Sequence, residues 1–150
     1  MLNDLCFAYG SNLNFVDLAD HARKHGRPIP QLEFYCRATL PDHCLSFPRY
    51  SVGRKGGVLS VKQALGCTVE GVLFKVKTEE DWNLLDLKEN VAGANGSKSA
   101  KGSYTRSPVT LIDQYGRLIS GQTYIAIPDS PEGHVPPSED YLEVVHSGYR

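Results

Sequence analysis

The spacing of apolar positions changes several times along the chain, and each change marks a new element. Residues 5–9, Leu-Cys-Phe-Ala-Tyr, form a short apolar run that stops at Gly10-Ser11-Asn12, which reads as a buried strand entering a turn. Phe15, Leu18, Ala19 and Ala22 then recur at helical spacing, and Gly26 followed by Pro28 ends that helix. From Leu32 onward the pattern shortens to a period of two. Residues 32–40, 44–47 and 58–61 are strand candidates, separated by Pro, Gly and basic turns. Residues 68–76, with Val69, Gly71 and Leu73, give the clearest β-rich run. Thr78 has the character of an N-cap, and Glu79, Glu80 and Asp81 suit the positive end of a helix. Trp82, Leu85 and Glu89 lie three and four apart and share a face of that helix.

The stretch 91–102 is small and polar, has nothing to bury, and is expected to be a mobile loop. Residues 104–113 and 118–127 read as a hairpin around Gln114-Tyr115-Gly116. Pro136-Pro137-Ser138 opens a last amphipathic helix carrying Tyr141, Val144 and Val145. The pattern predicts about seven strands and three helices. The connections between the longer strands are too short for parallel crossovers. The expected architecture is therefore α+β, with a mixed, mostly antiparallel sheet curled into a small barrel and helices flanking it. No repeat or linker divides the chain, so residues 1–150 are expected to form a single domain.

Composition narrows the functional classes. A formal net charge of -1, with 22% charged residues, argues against nucleic acid as a partner, which calls for a basic stripe. No apolar run approaches the ~20 residues of a membrane helix, and the first ten residues show no export leader. Cys6, Cys36, Cys44 and Cys67 show neither C-x-x-C spacing nor a compact framework, which suits reduced thiols and a cytoplasmic setting.

Two segments stand out as candidate chemistry. In Tyr9-Gly10-Ser11-Asn12-Leu13, a glycine after a buried strand permits positive φ and leaves amides for an anion, though Ser-Asn could equally cap the next helix. Glu89 ends a helix whose carboxylates, Glu79, Glu80 and Asp81, cluster at its start apart from Asp86. The negative helix end disfavours the charged carboxylate there, and an apolar environment would disfavour it further, toward proton transfer. His21 and His25 lie four apart but lack a third ligand, so no metal site is expected. Arg54-Lys55-Gly56-Gly57 lacks the full phosphate-loop pattern and reads as a basic turn.

Phe7-Ala8-Tyr9-Gly10-Ser11-Asn12-Leu13, Gly56-Gly57, Gly71-Val72-Leu73-Phe74 and Leu85-Asp86-Leu87-Lys88-Glu89, in that order, resemble the gamma-glutamylcyclotransferase (AIG2-like) family. The likeness extends to Tyr104, Tyr124 and the Pro-Pro-Ser ahead of Tyr141, and so covers nearly the whole chain. It implies a compact barrel with a cavity beside the first strand. It also implies that Tyr9, Gly10, Ser11, Asn12 and Leu13, with Tyr104 and Tyr124, bind substrate, and that Glu89 performs the proton transfers. The implied reaction cyclises a small-molecule gamma-glutamyl amide to 5-oxoproline and releases an amine, with no cofactor or metal. The same fold could instead remove a gamma-glutamyl protecting group from a carrier-bound intermediate, or serve as a binding module without turnover. Two places depart from the family pattern: Asn90 stands where a glycine often follows the glutamate, and the stretch 91–102 is longer than the resemblance leads one to expect.

Overall fold

A computed structural model describes residues 4–91, 102–128 and 134–149. Among the described residues, five strands close into a barrel in the order β1-β3-β2-β4-β5, with three α-helices around it. They are β1 (Leu5–Ala8), β2 (Leu32–Ser51), β3 (Gly56–Val76), β4 (Tyr104–Asp113) and β5 (Leu118–Ala126). The helices are α1 (Phe15–Lys24), α2 (Glu79–Lys88) and α3 (Glu139–Tyr149). All pairings are antiparallel except β1 with β5, which meet in parallel at Cys6 and Gln122 and close the barrel. Closure leaves β1 with a partner on each side, so the residues that follow it leave from a fixed point on the barrel rim.

The strand count differs from the expected seven because two long strands each absorb two of the predicted ones. Pro41-Asp42 and Leu65-Gly66 read as breaks, yet the β2–β3 pairing runs past them, from Leu32↔Val76 to Ser51↔Gly56. Irregularities in register between Pro41 and His43 and between Ser46 and Arg49 take up the misfit. Asp42 adopts φ 57° and its carboxylate accepts from the Gly66 amide at 2.9 Å, so the bend is pinned across both strands.

Alternation along the strands turns Phe7, Leu40, Leu73 and Leu111 inward, where each is fully buried. Burying a side chain of that size contributes about 1.5–3 kcal/mol. α2 covers one side of the barrel through Trp82 and Leu85, packed with Cys6, Leu18, Val76 and Tyr124. Its start follows the expected cap: the Thr78 side chain accepts from the Asp81 amide at 3.1 Å. In α1 the cap is Asn14 rather than Ser11 or Asn12, and residues Ser11–Leu13 form a single 3-10 turn before it. Ser138 caps α3, its hydroxyl accepting from the Tyr141 amide at 3.2 Å. Gly56 and Gly57 open β3 beneath the segment leading to α3. A Cβ on Gly57 would sit 1.8 Å from the Val135 carbonyl oxygen, so only glycine lets these backbones pass. Of the stretch 91–102, residues 92–101 lie outside the described residues. Its flanks meet through the Ser103 amide, which donates to the Asn90 carbonyl at 2.7 Å.

Candidate active site

A narrow cavity opens where β1 leaves the barrel. It is lined by Tyr9, Gly10, Ser11 and Asn12 from the turn after β1, by Leu59 of β3, and by Glu89, Tyr104, Tyr124 and Tyr141. Seven of the eight residues expected to form a site, namely Tyr9, Gly10, Ser11, Asn12, Glu89, Tyr104 and Tyr124, thus meet there. Leu13 does not join them. Its side chain is buried with Ala8 and Phe74, where it anchors the turn from beneath.

Glu89 reaches this place as the C-cap of α2, with its amide bonded back to the Leu85 carbonyl at 3.0 Å. The next residue must turn left-handed to end the helix. Asn90 does so at φ 51°, a conformation asparagine tolerates better than most residues, and the Val91 amide closes the turn on the Asp86 carbonyl at 2.9 Å. The missing glycine therefore leaves the helix end intact. Glu89 Oε1 accepts from Asn12 Nδ2 at 3.0 Å, and its side chain is 12% exposed. One turn earlier, Asp86 accepts from the Tyr124 hydroxyl at 2.6 Å, which ties the end of α2 to β5.

The turn after β1 differs from expectation at Gly10, whose φ is −126° rather than positive. A Cβ there would meet Leu59 at ordinary contact, 3.6 Å, so packing around the turn leaves room for one. The Leu13 amide is consumed by the Gly10 carbonyl at 3.0 Å.

The phenols of the wall differ in what their protons are doing. Tyr9 donates to the Tyr124 carbonyl, Tyr104 to the Leu59 carbonyl at 2.9 Å, and Tyr124 to Asp86. The Tyr141 oxygen instead accepts from the Leu59 amide at 3.0 Å, and its own proton takes no acceptor among the described residues. Burial raises all of these hydroxyls well above the ordinary tyrosine value, Tyr141 to about 12, and the Glu89 charge adds to the effect. They are donors at neutral pH. Among the described residues of the lining, Glu89 is the only carboxylate.

Sequence reasoning did not find Tyr141, Lys88, Asp17 or Arg54 as parts of this site. Lys88 Nζ donates to Asn12 Oδ1 at 2.8 Å and Ser11 Oγ at 3.1 Å, and lies 3.6 Å from Glu89 Oε1 and 3.7 Å from Asp17 Oδ2. Arg54 holds Asp17 through two bonds of 2.9 and 2.8 Å and lies over the Tyr141 ring. The basic turn is thus committed to a carboxylate on α1. Burial acts to raise the Asp17 pKa, but the Arg54 hydrogen bond and the Lys88 charge outweigh it and lower it overall. A larger groove of about 640 Å³ adjoins the cavity and shares Ser11, Glu89, Tyr104 and Tyr141 with it. His21 and His25 stack beside this groove with ring centroids 4.2 Å apart, and among the described residues no cluster of three or more metal-ligating side chains occurs.

Residues 6–143 match the sequence profile of a family described as gamma-glutamyl cyclotransferase, AIG2-like. A solved structure described as a gamma-glutamyl cyclotransferase is 31% identical, with a TM-score of 0.72, and the match covers 96% of this chain and 76% of that one. An uncharacterised human protein is 30% identical with a TM-score of 0.72, over 99% of this chain and 79% of its own. An AIG2-like protein from Mus musculus shares the fold at 19% identity, with a TM-score of 0.56, over 91% of this chain and 86% of its own. A comparison with curated proteins returned no match. Among the described residues no helix is long and apolar enough to cross a membrane.

Proposed function

The chain belongs to the gamma-glutamyl cyclotransferase, AIG2-like, family, and from that premise we propose that it cyclises the gamma-glutamyl group of a small-molecule gamma-glutamyl amide to 5-oxoproline, with Glu89 as general acid and base. Such a substrate carries its own nucleophile, the α-amine, at the distance needed to close a five-membered lactam on the γ-carbonyl. The protein must hold that folded shape, and a well-oriented intramolecular attack gains up to ~7–11 kcal/mol over the bimolecular one.

The remaining work is proton transfer. Glu89 takes a proton from the α-ammonium, and the freed amine attacks the γ-carbonyl carbon to give a tetrahedral intermediate. The protonated Glu89 delivers that proton to the leaving nitrogen as its bond to carbon breaks. Glu89 then takes the second proton that the attacking nitrogen still carries, which leaves a neutral lactam, and passes it to the released amine, which departs as its ammonium. One carboxylate serves all of these steps, typically contributing about 100- to 10,000-fold. No external oxidant, metal or second substrate enters the balance. The observation that carries this reading is that Glu89 is the sole carboxylate among the described residues of a cavity otherwise walled by protonated phenols and the turn after β1.

In this reading the Tyr141 hydroxyl and the Gly10 and Ser11 amides are the donors for the substrate's α-carboxylate and the developing oxyanion. The amine departs toward the adjoining groove. Incubation with gamma-glutamyl dipeptides, glutathione and gamma-glutamyl-lysine, followed by mass detection of 5-oxoproline, tests the reaction. Glu89→Gln should lower turnover at least ~100-fold while 5-oxoproline still binds. Near-native turnover in that variant rules Glu89 out as the base.

A further inference from the structure

Lys88 touches Glu89 and the turn after β1, yet the reaction above gives it no task. Its side chain is only 6% exposed, although a lysine on a helix can normally reach water. An ammonium so placed needs compensation. It has it in a row of alternating charges, Arg54, Asp17, Lys88 and Glu89, and in the two oxygens of Ser11 and Asn12.

Asn12 is the informative partner. A side-chain amide has an oxygen end and a nitrogen end of nearly the same shape, and its neighbours decide which way it points. A carboxylate alone attracts the nitrogen end, but an amide turned over could still pack in the same space. An ammonium has donors only, so Lys88 Nζ at 2.8 Å admits only the oxygen end of Asn12. The nitrogen end is thereby directed at Glu89 Oε1, 3.0 Å away.

We propose that Lys88 is a positioning residue that locks the Asn12 amide, so that Asn12 in turn fixes one oxygen of Glu89 and leaves the other for proton transfer. The role rests on the cyclotransferase reading for its effect on rate, but the locking itself does not. A lysine that merely clamped α2 to the turn would change stability without altering the Asn12 amide or separating kcat from KM.

The test uses Lys88→Met, which keeps the stem and removes every donor, and Lys88→Arg, which keeps the donors. Solvent exchange of the Asn12 side-chain NH2 is followed by 15N NMR, with the signal identified by its loss in Asn12→Asp. In K88M the exchange should quicken by about tenfold or more as the amide loses its fixed partner. The same variant should lose about 10- to 100-fold in kcat with KM changed by less than about threefold. K88R should restore most of both. If K88M does not fold, Lys88→Gln replaces it, because a neutral amide no longer dictates which end of Asn12 it meets, and the same losses are expected. Unchanged Asn12 exchange in the folded variant overturns the proposal, as does an exchange effect that leaves kcat intact. Where the wild-type protein cyclises no gamma-glutamyl amide, the cyclotransferase reading fails and the exchange measurement alone judges the lock.

Discussion

Hydroxyl protons separate the tyrosines of the wall into those that tie the cavity together and Tyr141, whose proton meets no acceptor among the described residues. Tyr104 spends its proton on the Leu59 carbonyl, whereas Tyr141 accepts from the Leu59 amide and keeps its own. Tyr141→Phe should therefore lower kcat/KM by about 10- to 100-fold, the range expected when a hydrogen bond to a charged group is removed. It should also reduce the melting temperature, since the Leu59 amide loses its acceptor. Tyr104→Phe should affect stability with a much smaller change in kcat/KM. Parallel melting and rate measurements on the two variants check this contrast, and equal rate losses would remove the distinction between them. At this scale the sequence was legible where a motif marked it. Glu89 and the residues after β1 stood out, whereas Lys88 was only one position of a motif and Tyr141 only one position of the last amphipathic helix. Nothing in helical spacing reveals that an ammonium faces an amide oxygen 76 positions away.

Among the elements, helices were easier to read than strands. Caps and stops are local, so Thr78, Gly26 and Ser138 marked helix ends that the structure has. The long strands were misread because a bulge and a break look alike in sequence. Proline and glycine signal both, and only the partner strand decides between them. Asp42 and Gly66 show this, each turning within a strand that continues because the other strand bends with it. Gly56-Gly57 looked like part of a basic turn, whereas its demand comes from the Val135–Pro136 backbone that crosses it. Gly57→Ala should accordingly destabilise the protein by at least about 2 kcal/mol, because the obstacle is a carbonyl and not a movable side chain. Urea unfolding measures this, and a loss under about 0.5 kcal/mol would show that the crossing segment yields freely.

The whole molecule carries an acid sensitivity that follows from the partial burial of His21 and from the charges around it. His21 is held down to about 4 by burial first and then by the charges of Lys88, His25 and Arg27, against an ordinary value of 6.5. The unfolded chain binds this proton at a higher pH than the folded one. The stability it contributes is complete above about 6.5 and is lost as pH falls toward about 4. Asp17, also lowered, extends the loss below the ordinary carboxylate range. Denaturation midpoints taken between these limits should fall with pH, and His21→Gln should flatten the slope. An unchanged slope in that variant would place the sensitivity elsewhere. The closure of the barrel also sets a timetable. β1 leaves the ribosome before the other four strands of the barrel, yet its partners are Val72 to Lys75 on one side and Gln122 on the other, and Tyr149 bonds the carbonyl of Tyr9. The turn that shapes the cavity is thus made before its partners and is among the last parts of the barrel that can settle, and a nascent chain has no working site until β5 and α3 have emerged.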